Sequence, residues 1–427
     1  MSNNQSKPPS MSKVATASFI GTAIEYYDFY IYATAVALVI GPIFFPPGDA
    51  SAQTLNAFVT FGIAFVARPI GSLLFGHFGD RLGRKTVLVS SLLLMGIATT
   101  LIGLLPSYAQ WGIAAPVILC VLRFLQGLGL GGEWGGAALL ATEYAPKNKK
   151  AWYGMFPQLG PSVGFLLSSG IFFLLSISLT DDAFKSWGWR VPFVLSAVLV
   201  VIGLYVRLSI AETPAFKKAQ EKQQLSKAPV KEVLTKHAKP LVLGSLSMVV
   251  CYALFYIATV YTLKHSTEYM GFSRSDILPL MCGAIVFMAI ATPISAALCD
   301  KFGRKPILII SGIIAFMTGF TLEPLLGFGY WGIFAFLALS LFMMGMTFAP
   351  MGAFLPELFP TQVRYTGASF AYNLGGILGA SLAPYLAQKL FLMGGLSYVG
   401  FYISIAASIS LLALFLTHET KDTNLQV

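Results

Sequence analysis

Gly76-His-Phe-Gly-Asp80-Arg81-Leu-Gly83-Arg84-Lys85 has a counterpart 220 residues on, Ala296-Ala-Leu-Cys-Asp300-Lys301-Phe-Gly303-Arg304-Lys305. Asp, basic residue, Gly, Arg and Lys keep the same spacing in both. Each stretch joins two apolar runs long enough to cross a bilayer. A second pair follows the same rule: Glu143-Tyr-Ala-Pro146 with Lys150, and Glu357-Leu-Phe-Pro360 with Arg364. Chance similarity between basic loops explains one such pair poorly and two very poorly. The chain therefore reads as a duplication, the mark of transporters built from parallel repeats.

Working outward, hydrophobic residues make up 56% of the 427 positions and charged residues 11%, with a mean hydropathy of +0.73. Soluble chains carry nearer ~25% charged residues, so most of this surface faces something other than water. Apolar runs predict twelve spans, at 14–41, 54–76, 86–105, 114–142, 151–179 and 190–209, then 239–263, 276–298, 306–323, 331–355, 365–389 and 398–417. The expected fold class is an all-α polytopic membrane protein with twelve transmembrane helices in two six-helix bundles. Its parts are a tail at 1–13, a bundle at 14–212, a Lys- and Gln-rich linker at 213–238, a bundle at 239–417 and a tail at 418–427. No cleavable signal peptide is expected, because the first apolar run is too long for one.

The net charge of +10 sits in short loop clusters and forms no face for nucleic acid. Lys and Arg crowd the loops on one side. The other side holds only Lys185, Arg190, Lys264, Arg274 and Lys389. The positive-inside rule then puts both termini and the linker in the cytoplasm of a cell whose inner membrane the chain spans. Cys120, Cys251, Cys282 and Cys299 lack metal-ligand spacing and read as small core residues. No cofactor or metal is expected.

Ionised groups at mid-span cost about 2.5–3.5 kcal/mol each on insertion scales. Glu25, Asp28, Arg68, Arg123 and Glu133 fall inside spans, so they must line a cavity or pair with one another. The functional reading is a carboxylate that takes and releases a proton (Asp28, Glu25 or Glu133), with Arg123 and Arg68 available to an anionic cargo. The alternative is permanent salt bridges that hold helices in register. The second half offers Tyr252 and Tyr256, one turn apart, then Tyr372 and Asn373, as neutral contacts to substrate. The glycines from Gly127 to Gly136 predict close helix packing or a bendable segment. His77, His237, His265 and His418 read as loop or span-end side chains, mostly solvated or interfacial.

At these residues the chain resembles the major facilitator superfamily. Gly76–Lys85 matches that superfamily's signature between its second and third spans. Further stretches resemble its metabolite:proton symporter family, whose members carry shikimate, 2-oxoglutarate, citrate, proline or betaine. They are Gly21-Thr-Ala-Ile-Glu25-Tyr-Tyr-Asp28-Phe-Tyr, Phe65-Val-Ala-Arg68-Pro69-Ile-Gly71, Arg123 through Gly136, Trp187 through Phe193, and Leu355 through Gly367. The resemblance implies proton-coupled uptake of an organic acid or zwitterion by alternating access. It also implies gating roles for Asp80, Arg81, Gly83, Arg84, Asp300, Arg304, Glu143, Glu357 and Arg364. The implied partners are membrane lipid, a small-molecule substrate and a proton, with the chain acting as a monomer. A proton-coupled drug exporter is the neighbouring alternative. A membrane-embedded enzyme lacks a recognisable catalytic motif here, and a channel leaves the two matched loops unexplained.

Overall fold

The structure, a computed structural model, describes residues 11–82, 84–143, 145–208, 229–360 and 363–423; the side chains at 11–14, 17, 76–82, 84–88, 140, 143, 206–208 and 229 are outside that description. The described residues are helical almost throughout. The crossings, in chain order, are α1 (Ser18–Phe44), α2 (Ala50–Leu82), α3 (Arg84–Leu104), α4 (Ala114–Leu139), α5 (Lys150–Ser178) and α6 (Gly188–Tyr205). The second set is α7 (Ala238–Glu268), α8 (Arg274–Phe302), α9 (Arg304–Gly327), α10 (Tyr330–Glu357), α11 (364–393) and α12 (396–416). The last two are one apolar stretch broken at Gly394 and Gly395, whose backbone leaves helical values. Among the described residues ten stretches are long and apolar enough to cross a bilayer, α3 adds the shorter apolar helix Val89–Leu104, and the break at Gly394 and Gly395 divides the last stretch, so the helices fall into the two sets of six expected from the apolar runs.

Helix is the structure that hydrocarbon allows, because each backbone N–H and C=O is satisfied within the segment. Large apolar side chains such as Leu174, Val201, Met317 and Leu412 stay more than half exposed and form the lipid-facing belt. The helix boundaries carry local signals. Ser273 accepts from the Asp276 N–H while Asp276 accepts from the Ser273 N–H, a capping box that starts α8. Gly303, at φ 106°, turns the chain from α8 into α9 in a conformation that favours glycine.

The two halves meet along two main seams, α5 against α8 and α2 against α11. Inside the first half, α2 and α4 approach until a Cβ at Gly127 would lie 2.1 Å from the Ala64 carbonyl oxygen, and one at Gly131 2.0 Å from that of Arg68. The glycine run therefore packs helices. It also contains a break, since regular helix stops at Gly131 and resumes at Trp134. His265 departs from the sequence expectation. It is 3% exposed, between the rings of Tyr261, Tyr269 and Phe391, because α7 runs on past residue 263 and takes this side chain into the packing with α11.

Candidate functional site

A small cavity lies between the halves, lined by Thr22, Glu25 and Tyr26 of α1, Arg68 of α2, Leu130 and Trp134 of α4, and Tyr372 and Asn373 of α11. Its volume is about 10 Å³, close to the space one water needs. The small volume has a visible cause. The Tyr372 ring stacks on the Trp134 indole, and its hydroxyl meets that of Tyr26. Asn373 donates to the Gly131 carbonyl at 3.2 Å, and Tyr365 donates to that of Gly132 at 2.6 Å, both across the seam. Both acceptors lie at the break in α4. Trp134 Nε1 donates to Gln158, and Gln158 donates on to the Phe348 carbonyl, each at 3.0 Å.

Arg68 is 2% exposed, with its guanidinium 4.3 Å from the Phe29 ring and 4.2 Å from that of Phe65. Its Nε and Nη2 are buried without a hydrogen-bond partner. Arg123, the other arginine that the sequence offered to an anionic cargo, is placed differently. It does not line the cavity. It lies over the Tyr32 ring at 3.7 Å and donates to the carbonyls of Thr60 and Phe61 and to Gln126. These acceptors all belong to the first half, so this guanidinium is used in joining α2 to α4.

Glu25 and Asp28 part company. Glu25 lines the cavity, while Asp28 points into the first bundle, where Ser196 of α6 donates to its Oδ1 at 2.6 Å. Asp28 is fully buried and its Oδ2 has no hydrogen-bond partner. Gln126 ties this region together, donating to the Asp28 carbonyl and to Thr99. Glu133 is buried at the break in α4, next to Trp134. Tyr256 packs on Phe61 and Phe65, and Tyr252 presents its ring edgewise to Tyr372; neither lines the cavity. Sequence reasoning missed Tyr26, Trp134, Gln126, Gln158 and Ser196. Tyr26 and Trp134 each follow a singled-out glutamate, which is the one signal that could have found them.

At one end of the bundle, Asp300 closes the α8–α5 seam. Its two oxygens accept the backbone N–H groups of Ala151 and Trp152, at 3.0 and 2.9 Å, in the first turn of α5. Arg304 lies 3.4 Å from Asp300 and grips Glu357 through Nε and Nη2 at 3.2 and 3.1 Å. Glu419 accepts from the N–H groups of Arg304 and Lys305, Thr420 donates to Glu357, and Lys150 of the first half reaches the Thr423 carbonyl. Arg364 donates to the Phe359 carbonyl within the second half. The gating candidates Gly83 and the side chains of Asp80, Arg81, Arg84 and Glu143 lie outside the described residues. At the opposite end, Arg274 of α8 pairs with Asp181 at 2.7 Å and donates to Ser176 at 3.1 Å. Contacts between the halves therefore exist at both ends, around a cavity that both halves line.

Comparison with known proteins gives this arrangement a family. The Major Facilitator Superfamily model matches residues 18–384 and 247–426. The "Inner membrane metabolite transport protein YhjE" of Escherichia coli (strain K12) is 56% identical over 422 residues, covering 97% of this chain and 96% of the relative. The "Shikimate transporter" of the same organism is 38% identical over 418 residues, with 96% and 95% covered. Among solved structures, the proton:xylose symporter XylE bound to 6-bromo-6-deoxy-D-glucose superposes with a TM-score of 0.75 at 19% identity, over 97% of this chain and 98% of that one. XylE is from E. coli, and at that identity the likeness shows the fold alone. Two bundles of six helices, a cavity between them and whole-length relatives that are transporters agree: the chain is a membrane transporter, not an enzyme, and belongs to the major facilitator superfamily.

Proposed function

We propose that this transporter is a proton-coupled symporter importing a small organic acid or zwitterion by alternating access. The observation that carries the reading is Asp28. A fully buried carboxylate with one oxygen on Ser196 and the other unpartnered can take up a proton without breaking an existing hydrogen bond. It stands one turn from Glu25, which lines the cavity, so proton and cargo can be sensed by one helix. Asp300 and its neighbours form one gate and the Arg274–Asp181 pair the other, each made and broken as the halves rock. The unit boundaries are those set out from the sequence, with the linker, both termini and the Asp300 gate on the cytoplasmic side, as the Lys and Arg asymmetry supports. In a chain with single engineered cysteines, Ser51→Cys should then react with an impermeant thiol reagent in intact cells and Ser226→Cys should not.

The deciding experiment is uptake into proteoliposomes with an imposed pH gradient, run beside exchange of labelled for unlabelled substrate without one. Asp28→Asn should abolish accumulation and retain exchange, which needs no net proton movement. Wild-type accumulation by Asp28→Asn would remove Asp28 as the obligatory proton site. Uptake by the unmodified protein that ignores the gradient would sink symport altogether.

A further inference from the structure

We propose that the Tyr372 ring occupies the cargo's place: on loading it withdraws from the Trp134 indole, and what stacks there instead is an organic acid with a flat six-membered ring. The proposal rests on the transport reading above and names a cargo class within it.

The cavity holds about 10 Å³, whereas pockets for small molecules run to about 300–1,000 Å³. A wall therefore has to move before a metabolite enters. Several wall residues are tied within their own half. Thr22 donates to the Ser18 carbonyl at 2.9 Å, Asn373 to that of Ser369 at 2.8 Å, and Trp134 to the Gln158 side chain at 3.0 Å. Trp134 and Gln158 both belong to the first half. Tyr372 is placed otherwise. Beside Trp134 its ring neighbours are Tyr252 of α7 at 5.6 Å and Phe348 of α10 at 6.3 Å, both of the second half. When the halves part, Tyr372 leaves with them. The indole stays with the first half, and the face that Tyr372 covered is bare.

The phenol shows what fits that face. Its centroid lies 4.0 Å from that of the indole with the planes 6° apart, and its hydroxyl meets that of Tyr26, also of the first half. A ligand ring of the same flatness repeats the stack, and a hydroxyl on it takes up the Tyr26 contact. A puckered saturated ring brings C–H groups to the indole and loses the face-to-face contact. A cation is the other partner that an indole face accepts, but the group filling the place here is flat and neutral. Tyr372 is then a competitor of the cargo rather than a contact to it, which reverses the sign expected for its removal.

The test is binding to the purified full chain, read by titration calorimetry and thermal shift at pH 7. Two pairs of acids contrast flat with saturated rings: benzoate with cyclohexanecarboxylate, and 4-hydroxybenzoate with trans-4-hydroxycyclohexanecarboxylate. Trimethylammonioacetate is the cationic probe. At least one flat acid should bind about three- to tenfold tighter than its saturated partner. Trp134→Leu should bring that ratio to about one, and Trp134→Phe should keep most of it. Tyr372→Ala should tighten binding of the flat acid about threefold or more, a gain that no misfolded variant can give. Weaker binding of flat acids in Tyr372→Ala would make Tyr372 a direct contact and overturn the proposal. Saturated acids binding as well as flat ones, trimethylammonioacetate binding tightest, or no flat acid bound at all would each do the same. Uptake of the same probes separates the two levels. Gradient-driven uptake without preference for flat rings removes the stacking slot and leaves symport standing. The expected binding pattern with uptake that ignores the gradient leaves the slot standing and removes symport.

Discussion

The ring of Tyr372 lies flat on the indole of Trp134, with centroids 4.0 Å apart and planes 6° apart. One ring comes from each half, so the stack exists only while the halves are closed around the cavity. Such pairs contribute about 0.5–1.5 kcal/mol beyond the area they bury. Tyr372→Ala should therefore favour open states by roughly two- to tenfold. The rate of thiol labelling at Thr22→Cys, in a chain without its four native cysteines, measures this directly. Tyr372→Phe keeps the stack and loses only the hydroxyl contact with Tyr26, so its labelling should rise less. An unchanged rate in Tyr372→Ala would mean that other contacts hold the cavity shut.

Asp300 makes charge-assisted hydrogen bonds to two amides at the start of α5, where the helix dipole also favours a negative group. Hydrogen bonds to charged groups are worth about 1.5–3 kcal/mol. Asp300→Asn keeps an acceptor and loses the charge, so it should loosen this contact between the halves by about tenfold while leaving substrate affinity within a few-fold. Turnover in counterflow, compared with equilibrium binding, checks this. Equal losses in both would make Asp300 a general structural residue.

Glu419 links the chain's end to the turn between α8 and α9. Partial burial pushes its carboxyl up, but the N–H groups of Arg304, Lys421, Lys305 and Thr420 outweigh burial and hold it below the usual 4.5. A carboxylate held low in the folded state adds stability above its unfolded value, and that stability is lost as pH falls through the folded one. The melting temperature of Glu419→Gln should thus lie below wild type by a constant margin from pH 8 to about pH 5, and the gap should close below the ordinary glutamate range. A gap that widens in acid would contradict the assignment. Gly303 belongs to the same contact, since a Cβ there would lie 2.5 Å from Glu419 Oε2.

The sequence by itself determined the membrane fold, and the reason is solvent. Hydrocarbon admits few alternatives to a long apolar helix, so spans, their number and the two matched loops are visible in residue order alone. Buried charge is equally legible, because a glutamate or arginine amid apolar residues has so few tolerable environments. Glu25 and Arg68 were singled out on that ground, and both line the cavity. Which way each buried charge turns was decided only by tertiary structure. Glu25 and Asp28 are three residues apart, yet one lines the cavity and the other meets Ser196, 168 residues further along. Arg123 and Arg68 have the same chemistry and are similarly buried, but the Thr60 and Phe61 carbonyls and Gln126 take up the first and leave two nitrogens of the second unpartnered. Trp134, Tyr26 and Tyr372 are ordinary aromatics in a chain rich in them, and their meeting depends on how α1, α4 and α11 cross. Hydrogen bonds and ring contacts are short-ranged, so they are set by helix rotation and crossing, which residue order along a single helix does not contain.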